Sequence, residues 1–147
     1  MFRTKRGQIS VEYLIVIGFV VFIVISILGV AFFYASGIRD RIKTNQLENF
    51  ANKIISSAES VYFAGEPSKV TITAYLPAGV QAIEIVYDSG SEEYLIIFDI
   101  ETGSGISKIA YTSDVPLETG SSIISISEGV KRLQITAVEN EVSIVEG

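Results

Sequence analysis

The sequence predicts an α+β fold in which a long N-terminal helix precedes a C-terminal antiparallel β domain, and three patterns support this prediction. Residues 13–35 form an apolar run without a charged side chain. After this run, apolar side chains recur every three to five residues until Pro67 stops the pattern, as in an amphipathic helix. Beyond Pro67 they alternate with a period of two, as in β-strands. We therefore predict a helix over residues 8–64 and a β domain over residues 65–147 that wraps the amphipathic half of the helix.

The apolar run is long enough to cross a membrane. A helix rises about 1.5 Å per residue, so residues 13–35 would span about 35 Å, and the hydrocarbon core of a bilayer is about 30 Å thick. Gly18 and Gly29 lie nearly three whole turns apart and therefore share a helix face. These glycines could serve close packing between helices, or they could reflect the ordinary frequency of glycine in membrane helices. Phe19 and Phe22 are interpreted as packing surface, because no polar group that could hold a cofactor accompanies them.

A short basic leader precedes the apolar run, and its small residue, Gly7, has an unusual position. Lys5 and Arg6 are followed by Gly7, and residues 8–14 read Gln-Ile-Ser-Val-Glu-Tyr-Leu. An ordinary secretory signal has a shorter apolar core of about 7–15 residues and a small-residue cleavage site behind it. Here the small residue comes before the apolar run. Cleavage at Gly7 would therefore remove only the leader, residues 1–7, and leave the apolar run on the mature protein.

This arrangement resembles the class III signal peptide of archaeal type IV pilins, in the group whose processing site reads Gln-x-Ser-x-Glu-Tyr-Leu. The matching residues are Gln8, Ser10, Glu12, Tyr13 and Leu14, after Lys5, Arg6 and Gly7. The match covers about the first quarter of the chain. The resemblance implies that a membrane-embedded prepilin peptidase cuts between Gly7 and Gln8, and that the surrounding residues form its recognition sequence.

Glu12 is the residue singled out by its position at the threshold of the apolar run. An ionised carboxylate inside a membrane costs up to about 3 kcal/mol, more at the centre than at the edge, so a partner is expected. Glu12 would be the fifth residue after the cut, and the resemblance implies that it pairs with the N-terminal amine of a neighbouring subunit. Alternatively, the carboxylate stays hydrated at headgroup level, or it interacts favourably with the helix dipole.

The amphipathic half of the helix and the β domain are predicted from periodicity. The apolar stripe consists of Ile38, Ile42, Leu47, Phe50, Ile54, Ala58, Val61 and Tyr62. Strands are predicted at residues 69–76, 80–87, 93–100, 106–112, 122–127, 132–138 and 141–145, the last two as a hairpin. Six or seven short strands with turns every 8–12 residues indicate an antiparallel sheet curled or folded on itself. The third strand is apolar on both faces, which predicts a central strand covered on each side.

Composition narrows the classes of function. The chain carries 11 basic and 17 acidic side chains, for a net charge of −6. Three of the basic residues, Arg3, Lys5 and Arg6, belong to the leader, so its removal would change the net charge to −9. This acidity argues against nucleic acid as a partner, because phosphate binding relies on Lys and Arg. The absence of cysteine excludes a disulfide framework.

The residue types present argue against catalysis and against a bound cofactor. The chain has no histidine and no cysteine, so it lacks the commonest general base, the commonest zinc ligands and a thiol nucleophile. We predict no enzyme activity, no cofactor and no metal site. The densest acidic group comprises Asp88, Glu92, Glu93, Asp99 and Glu101. It lacks the spacing of an EF-hand and is typical of solvated turns, although cation binding there stays open.

These observations together predict the precursor of a structural subunit of an extracellular type IV-like pilus that serves adhesion. The leader charges favour a cytoplasmic N-terminus while the precursor is in the membrane. The expected partners are the prepilin peptidase, the pilus assembly machinery and further copies of the chain in a helical filament, assembled through Glu12, Gly18, Phe19, Phe22 and Gly29. The alternative is a stable single-span membrane protein with an extracellular binding domain. A membrane-tethered hydrolase has little support, because the usual catalytic residue types are missing.

Overall fold

A computed structural model describes residues 5–103, 105–121 and 124–147 of the chain, without the side chains of residues 5–10, 36 and 121. One long helix, α1, is followed by seven strands. Their bounds are α1 Lys5–Ala64, β1 Lys69–Leu76, β2 Val80–Asp88, β3 Glu93–Thr102, β4 Gly105–Ser113, β5 Gly120–Ser121, β6 Gly129–Val138 and β7 Glu141–Glu146. The predicted α+β arrangement of a long N-terminal helix and an antiparallel β domain is confirmed.

The strands form two antiparallel sheets. Sheet A has the order β1-β6-β7, and sheet B has the order β4-β3-β2-β5. The hairpin between β6 and β7 turns on Glu139 and Asn140, both with positive φ, which is the geometry of a two-residue hairpin turn. In the other sheet, β3 lies between β2 and β4 and pairs with both along most of its length. β3 is therefore an interior strand of the larger sheet.

The chain divides into two compact units, Met1–Arg39 and Asp40–Gly147. In the second unit, the C-terminal half of α1 supplies one apolar stripe to a core shared with both sheets. The buried helix residues are Leu47, Phe50, Ala51, Ile54, Ala58 and Val61. Their spacing of one, three and four residues places them on one face of the helix. Phe50 packs edge-on against Phe98 of β3, with ring centroids 6.1 Å apart.

The predicted stripe begins too early in the sequence. Ile38 and Ile42 are exposed, and the buried stripe starts at Leu47. Ile38 belongs to the first unit, and Ile42 lies in the first turn of the second. The periodicity of an amphipathic helix continues through both residues, but only the turns from Leu47 onward have sheet side chains against them.

The prediction that β3 is covered on both faces is wrong. Ile96, Phe98 and Ile100 are buried in the core, whereas Leu95 and Ile97 on the opposite face are only half-buried. The described elements pack on one face of sheet B. The side chains of Leu95 and Ile97 are therefore shielded by neighbours in their own sheet and remain partly open to solvent.

The strand predicted at residues 122–127 is also wrong for the part of it that the structure describes. Ser122 and Ile123 lie outside the described residues, and residues 124–127 form no strand. The N–H of Ser125 donates a hydrogen bond to the Glu146 carboxylate at 2.6 Å instead of to a strand neighbour. A polar side chain has thus replaced the sheet as the partner of this backbone.

Candidate functional site

The predicted processing motif lies at the beginning of α1. The helix includes the peptide bond between Gly7 and Gln8 and continues without interruption through Leu14. Part of the leader, residues 1–4, lies outside the described residues. For Lys5, Arg6, Gln8 and Ser10 the structure places the backbone only. Glu12, Tyr13 and Leu14 have exposed side chains, as predicted positions of recognition and assembly require.

The apolar half of α1 is exposed on every side in the isolated chain. All side chains from residue 11 to residue 35 are exposed, and Phe19, Phe22 and Leu14 each expose more than 60% of their surface. Apolar surface of this kind costs about 25 cal/mol for each Å² in contact with water. A helix that is apolar all round is buried in a membrane or in the core of an assembly. In the described part of the chain, one helix is long and apolar enough to be a candidate membrane span.

The polar group at the centre of this apolar half is satisfied within the helix. The Ser26 hydroxyl donates a hydrogen bond to the Phe22 carbonyl at 2.8 Å. In hydrocarbon an unsatisfied hydroxyl would be costly, and this bond to the preceding turn removes that cost. The segment is therefore chemically suited to lipid and to the dry interior of a bundle of helices.

Gly18 and Gly29 are open to close approach by another helix. A Cβ atom added at either position would meet no atom within 4 Å. Both residues lie on the same face of α1, so a neighbouring helix could pack closely against its backbone there. Helix packing and the ordinary frequency of glycine in membrane helices therefore both remain compatible with the structure.

Hydrogen bonds connect the first helical turn of the second unit to the turn between β3 and β4. Asp40 accepts a hydrogen bond from the Gly103 N–H at 3.1 Å, and Lys43 donates to the Glu101 carbonyl at 3.3 Å. Glu101 in turn donates its N–H to the Gly79 carbonyl at 2.8 Å. Gly79 has a φ of 92°, which favours glycine, and an added Cβ would come within 3.3 Å of the Glu101 carbonyl. These contacts hold sheet B at the beginning of the buried part of the helix.

Comparison with known proteins found no matching family model, no matching curated protein and no matching solved structure.

The predicted acidic group does not converge in the structure. Asp88 accepts hydrogen bonds from the Gly90 N–H at 3.0 Å and the Ser91 hydroxyl at 2.8 Å, and the Gly90 bond is the main cause that lowers the pKa of Asp88. Asp99 lies 3.4 Å from the Lys108 ammonium. Glu93 and Glu101 stand at opposite ends of β3. Within residues 5–103, 105–121 and 124–147, no group of three or more acidic side chains is placed to hold a metal ion.

A polar cluster that sequence reasoning missed surrounds Lys131. This side chain is 5% exposed and donates hydrogen bonds to the hydroxyls of Ser125, at 2.5 Å, and Ser127, at 2.8 Å. Its ammonium also lies 3.5 Å from the Glu146 carboxylate. The Ser125 N–H is the largest cause that lowers the pKa of Glu146. Strand periodicity could have located this cluster, because Lys131 shares the inward face of β6 with Leu133 and Ile135.

The geometry of the Lys131 cluster fits an anchor for the segment before β6. Serine and lysine together are the residues of some nucleophilic sites, in which an amine must accept a proton from the serine hydroxyl. Here the lysine donates to both hydroxyls and is paired with a carboxylate, so its contacts are those of an ammonium ion. The cluster ties residues 125–127 to β7 near the C-terminus.

Proposed function

We propose that this chain is the precursor of a structural subunit of an archaeal type IV-like pilus, which is assembled through the N-terminal half of α1 after the leader is removed. The proposal rests mainly on the order in which three features follow one another along the chain. A sequence that resembles a pilin processing motif, with Gln8 as the expected first residue after the cut, precedes an apolar helical segment with exposed side chains, and the same helix continues into the core of a β domain.

The physical reason for assembly is the behaviour of the apolar segment outside a membrane. The exposed Leu, Ile, Val and Phe side chains would need burial, and parallel copies of the helix would bury them against one another. The β domains would then face outward and contact surfaces or other cells, so that the filament serves adhesion. Before assembly the precursor would lie in the cytoplasmic membrane with its N-terminus in the cytoplasm.

The assembly site would consist of residues near the start of the helix. Gly18 and Gly29 permit close approach on one face, and Phe19 and Phe22 supply apolar surface. Glu12 would pair with the α-amine that the prepilin peptidase creates on a neighbouring subunit. That pairing would compensate the cost of a carboxylate at the edge of an apolar bundle.

Electron microscopy of cells with and without the gene tests this function. We expect surface filaments from the cells that carry the gene, immunogold labelling of those filaments with an antibody against the β domain, and filaments again after complementation. A gene product that labels the cell membrane evenly, with the same filaments present after deletion, would contradict the proposal. That result would instead support a stable membrane anchor with an extracellular binding domain.

A further inference from the structure

The four outer strands of the two sheets differ in how well they are protected. The edge of β7 is covered in part by the segment before β5, through hydrogen bonds from Val142 to the Pro116 carbonyl and from Glu118 to the Val142 carbonyl. The outer strand β5 has only two residues. By contrast, β1 and β4 are eight and nine residues long and have no strand partner on their outer sides among the described residues. An exposed strand edge of this length is a template for pairing with another chain.

The unpaired groups of β1 can be identified from its hydrogen bonds. The Ser68 carbonyl accepts from the Ala137 N–H, so even-numbered residues of this segment direct their backbone groups to β6. The register between β1 and β6 has no irregularity, so the odd-numbered residues direct theirs outward. The Thr73 carbonyl accordingly accepts a hydrogen bond from the Lys53 ammonium at 2.6 Å. The other outward backbone groups are the Thr73 N–H and those of Lys69, Thr71 and Tyr75, and among the described residues none of them has a strand partner.

Space is available beside this edge. Two open grooves lie between the helix and β1, with volumes of about 380 and 280 Å³. The first is lined by Gln46, Asn49 and Lys53 of the helix, and the second by the small residues Ser56, Ser57 and Ser60. Small side chains on the helix therefore leave part of the β1 edge uncovered.

The charges beside the two free strand edges indicate which partner pairs with the β1 edge. Lys53, Lys69 and Arg132 are exposed beside β1, and none of them pairs with a carboxylate in the described part of the chain. They form a basic group beside residues 69–73 of β1 on a protein whose net charge is −6 with the leader, while the Glu128 carboxylate, which accepts a hydrogen bond from the Tyr75 hydroxyl at 2.6 Å, lies at the other end of this strand. The other free edge ends in acidic residues: Asp114 follows β4 directly, and Glu93 begins the neighbouring strand β3. A second copy of this chain thus offers both an unpaired edge and the opposite charge.

We propose that, in the filament, the β1 edge of one copy pairs with the β4 edge of a neighbouring copy, with Lys53 and Lys69 facing Glu93 and Asp114. This inference rests on the proposed function. Because the two surfaces differ, the contact is heterologous, and repetition of such a contact produces an open helical assembly when the ring does not close. The interaction extends a sheet from one subunit to the next and adds contacts between β domains to those between the apolar helices.

Cross-linking between cysteines tests the pairing, and the native chain has no cysteine to interfere. Thr73→Cys lies on the β1 edge and Ala110→Cys on the β4 edge, and both side chains are exposed. Filaments of the double variant, treated with a short bismaleimide that tolerates a shifted register, should give a ladder of covalent oligomers on a denaturing gel. Each single variant should remain monomeric. Intact filaments without a ladder would overturn the inference, as would dimers of the Thr73→Cys variant alone, which would indicate symmetric pairing of β1 with β1.

Charge reversal provides a second test that does not depend on cysteine geometry. Lys53→Glu with Lys69→Glu should reduce the mass of filaments about tenfold or more, because like charges would then face each other. Glu93→Lys with Asp114→Lys should have the same effect, and the combination of all four changes should restore assembly. Glu84→Lys, an exposed charge reversal on the central part of sheet B, is the control for the Glu→Lys type of change and is compared with Glu93→Lys alone. Reversed variants that assemble as well as this control would contradict the pairing.

The two proposals fail in different ways. If the wild-type chain forms no filament, the proposed function fails and the edge pairing with it. If wild-type filaments form but the ladder is absent and the reversed variants assemble normally, only the edge pairing fails.

Discussion

Glu12 is the residue on which the proposed assembly would depend most. It is the last charged side chain before an apolar stretch that continues to Arg39, and its side chain is exposed in the isolated chain. In a bundle of helices this carboxylate would be near the edge of a dry interior, where a charged group needs a partner. The α-amine of a processed neighbour is the partner that the resemblance to pilins implies.

Replacement of Glu12 by Ala should leave the precursor in the membrane and cleaved, but should abolish filaments. The apolar helix, its length and the residues on both sides of the Gly7–Gln8 bond are unchanged, whereas the pairing group is lost. Subunit size on a gel reports cleavage, and electron microscopy reports assembly. Glu48→Ala in the other half of the helix is the control and should assemble. Normal filaments from the Glu12 variant would refute the role of this residue.

Glu146 should stabilise the β domain through the Lys131 cluster. Glu146→Gln would leave the buried ammonium without its carboxylate partner, and hydrogen bonds to charged groups contribute about 1.5–3 kcal/mol. We expect a loss of stability of about that size in urea unfolding of the full chain in detergent. Glu118→Gln changes an exposed carboxyl group whose side chain makes no ion pair among the described residues, and it should unfold like the wild type.

The same cluster predicts a pH dependence with a definite sign. Hydrogen bonds from Ser125 lower the pKa of Glu146 from its usual value of 4.5. Because the folded state holds the ionised form more tightly than the unfolded state, the stabilisation is complete above pH 4.5 and is lost as the pH falls through the folded pKa. The difference in unfolding free energy between wild type and Glu146→Gln should therefore shrink as the pH falls below that value. A difference that grows in acid would contradict this assignment.

At the scale of elements, the two halves of α1 differ both in apolar content and in surroundings: residues 13–35 carry no charged side chain, whereas the C-terminal half is amphipathic. Phe50 is 1% exposed in the core, whereas Phe19 is 63% exposed in the N-terminal half. Secondary structure propensity does not distinguish them, because both lie in regular helix. The two residues differ in their surroundings, because sheet side chains pack around Phe50 and not around Phe19.

The same substitution in each half should separate folding from assembly. Phe50→Ala should destabilise the β domain by about 3–5 kcal/mol, because it removes an aromatic ring from the core and leaves a cavity. Phe19→Ala should leave unfolding of the β domain unchanged and should weaken filaments. Urea unfolding followed by near-ultraviolet circular dichroism measures the first effect, and the disassembly of filaments by detergent measures the second. Equal effects on domain stability would contradict the division of the helix into two functional halves.

Periodicity predicted those elements whose side chains alternate between one core face and solvent. The bounds of β1 were predicted to the residue, because Val70, Ile72, Ala74 and Leu76 all face inward. The prediction that other elements cover both faces of β3 was based on Leu95 and Ile97. It was wrong because apolar residues on an outer sheet face look the same in sequence as buried ones. Residues 124–127 were mistaken for a strand, because the Ser125 N–H donates its hydrogen bond to the Glu146 carboxylate, which lies 21 residues further along the chain.

At the scale of the whole molecule, the candidate site was more predictable from sequence than the surface of the β domain. The apolar half of α1 is continuous in the chain, so its pattern was enough to locate it, and the predicted processing motif is likewise a continuous stretch of sequence. The free edges of β1 and β4 depend on strand order, which connects β1 to β6 across more than 50 residues of sequence. Such non-local pairing has no signal in a single sequence.

The central claim concerns what happens to the chain after synthesis, and mass spectrometry of the protein isolated from the cell surface tests it most directly. If the chain is a processed filament subunit, its N-terminus is Gln8, either free or cyclised, and residues 1–7 are missing. A surface protein that retains these residues and is absent from filaments would contradict the claim.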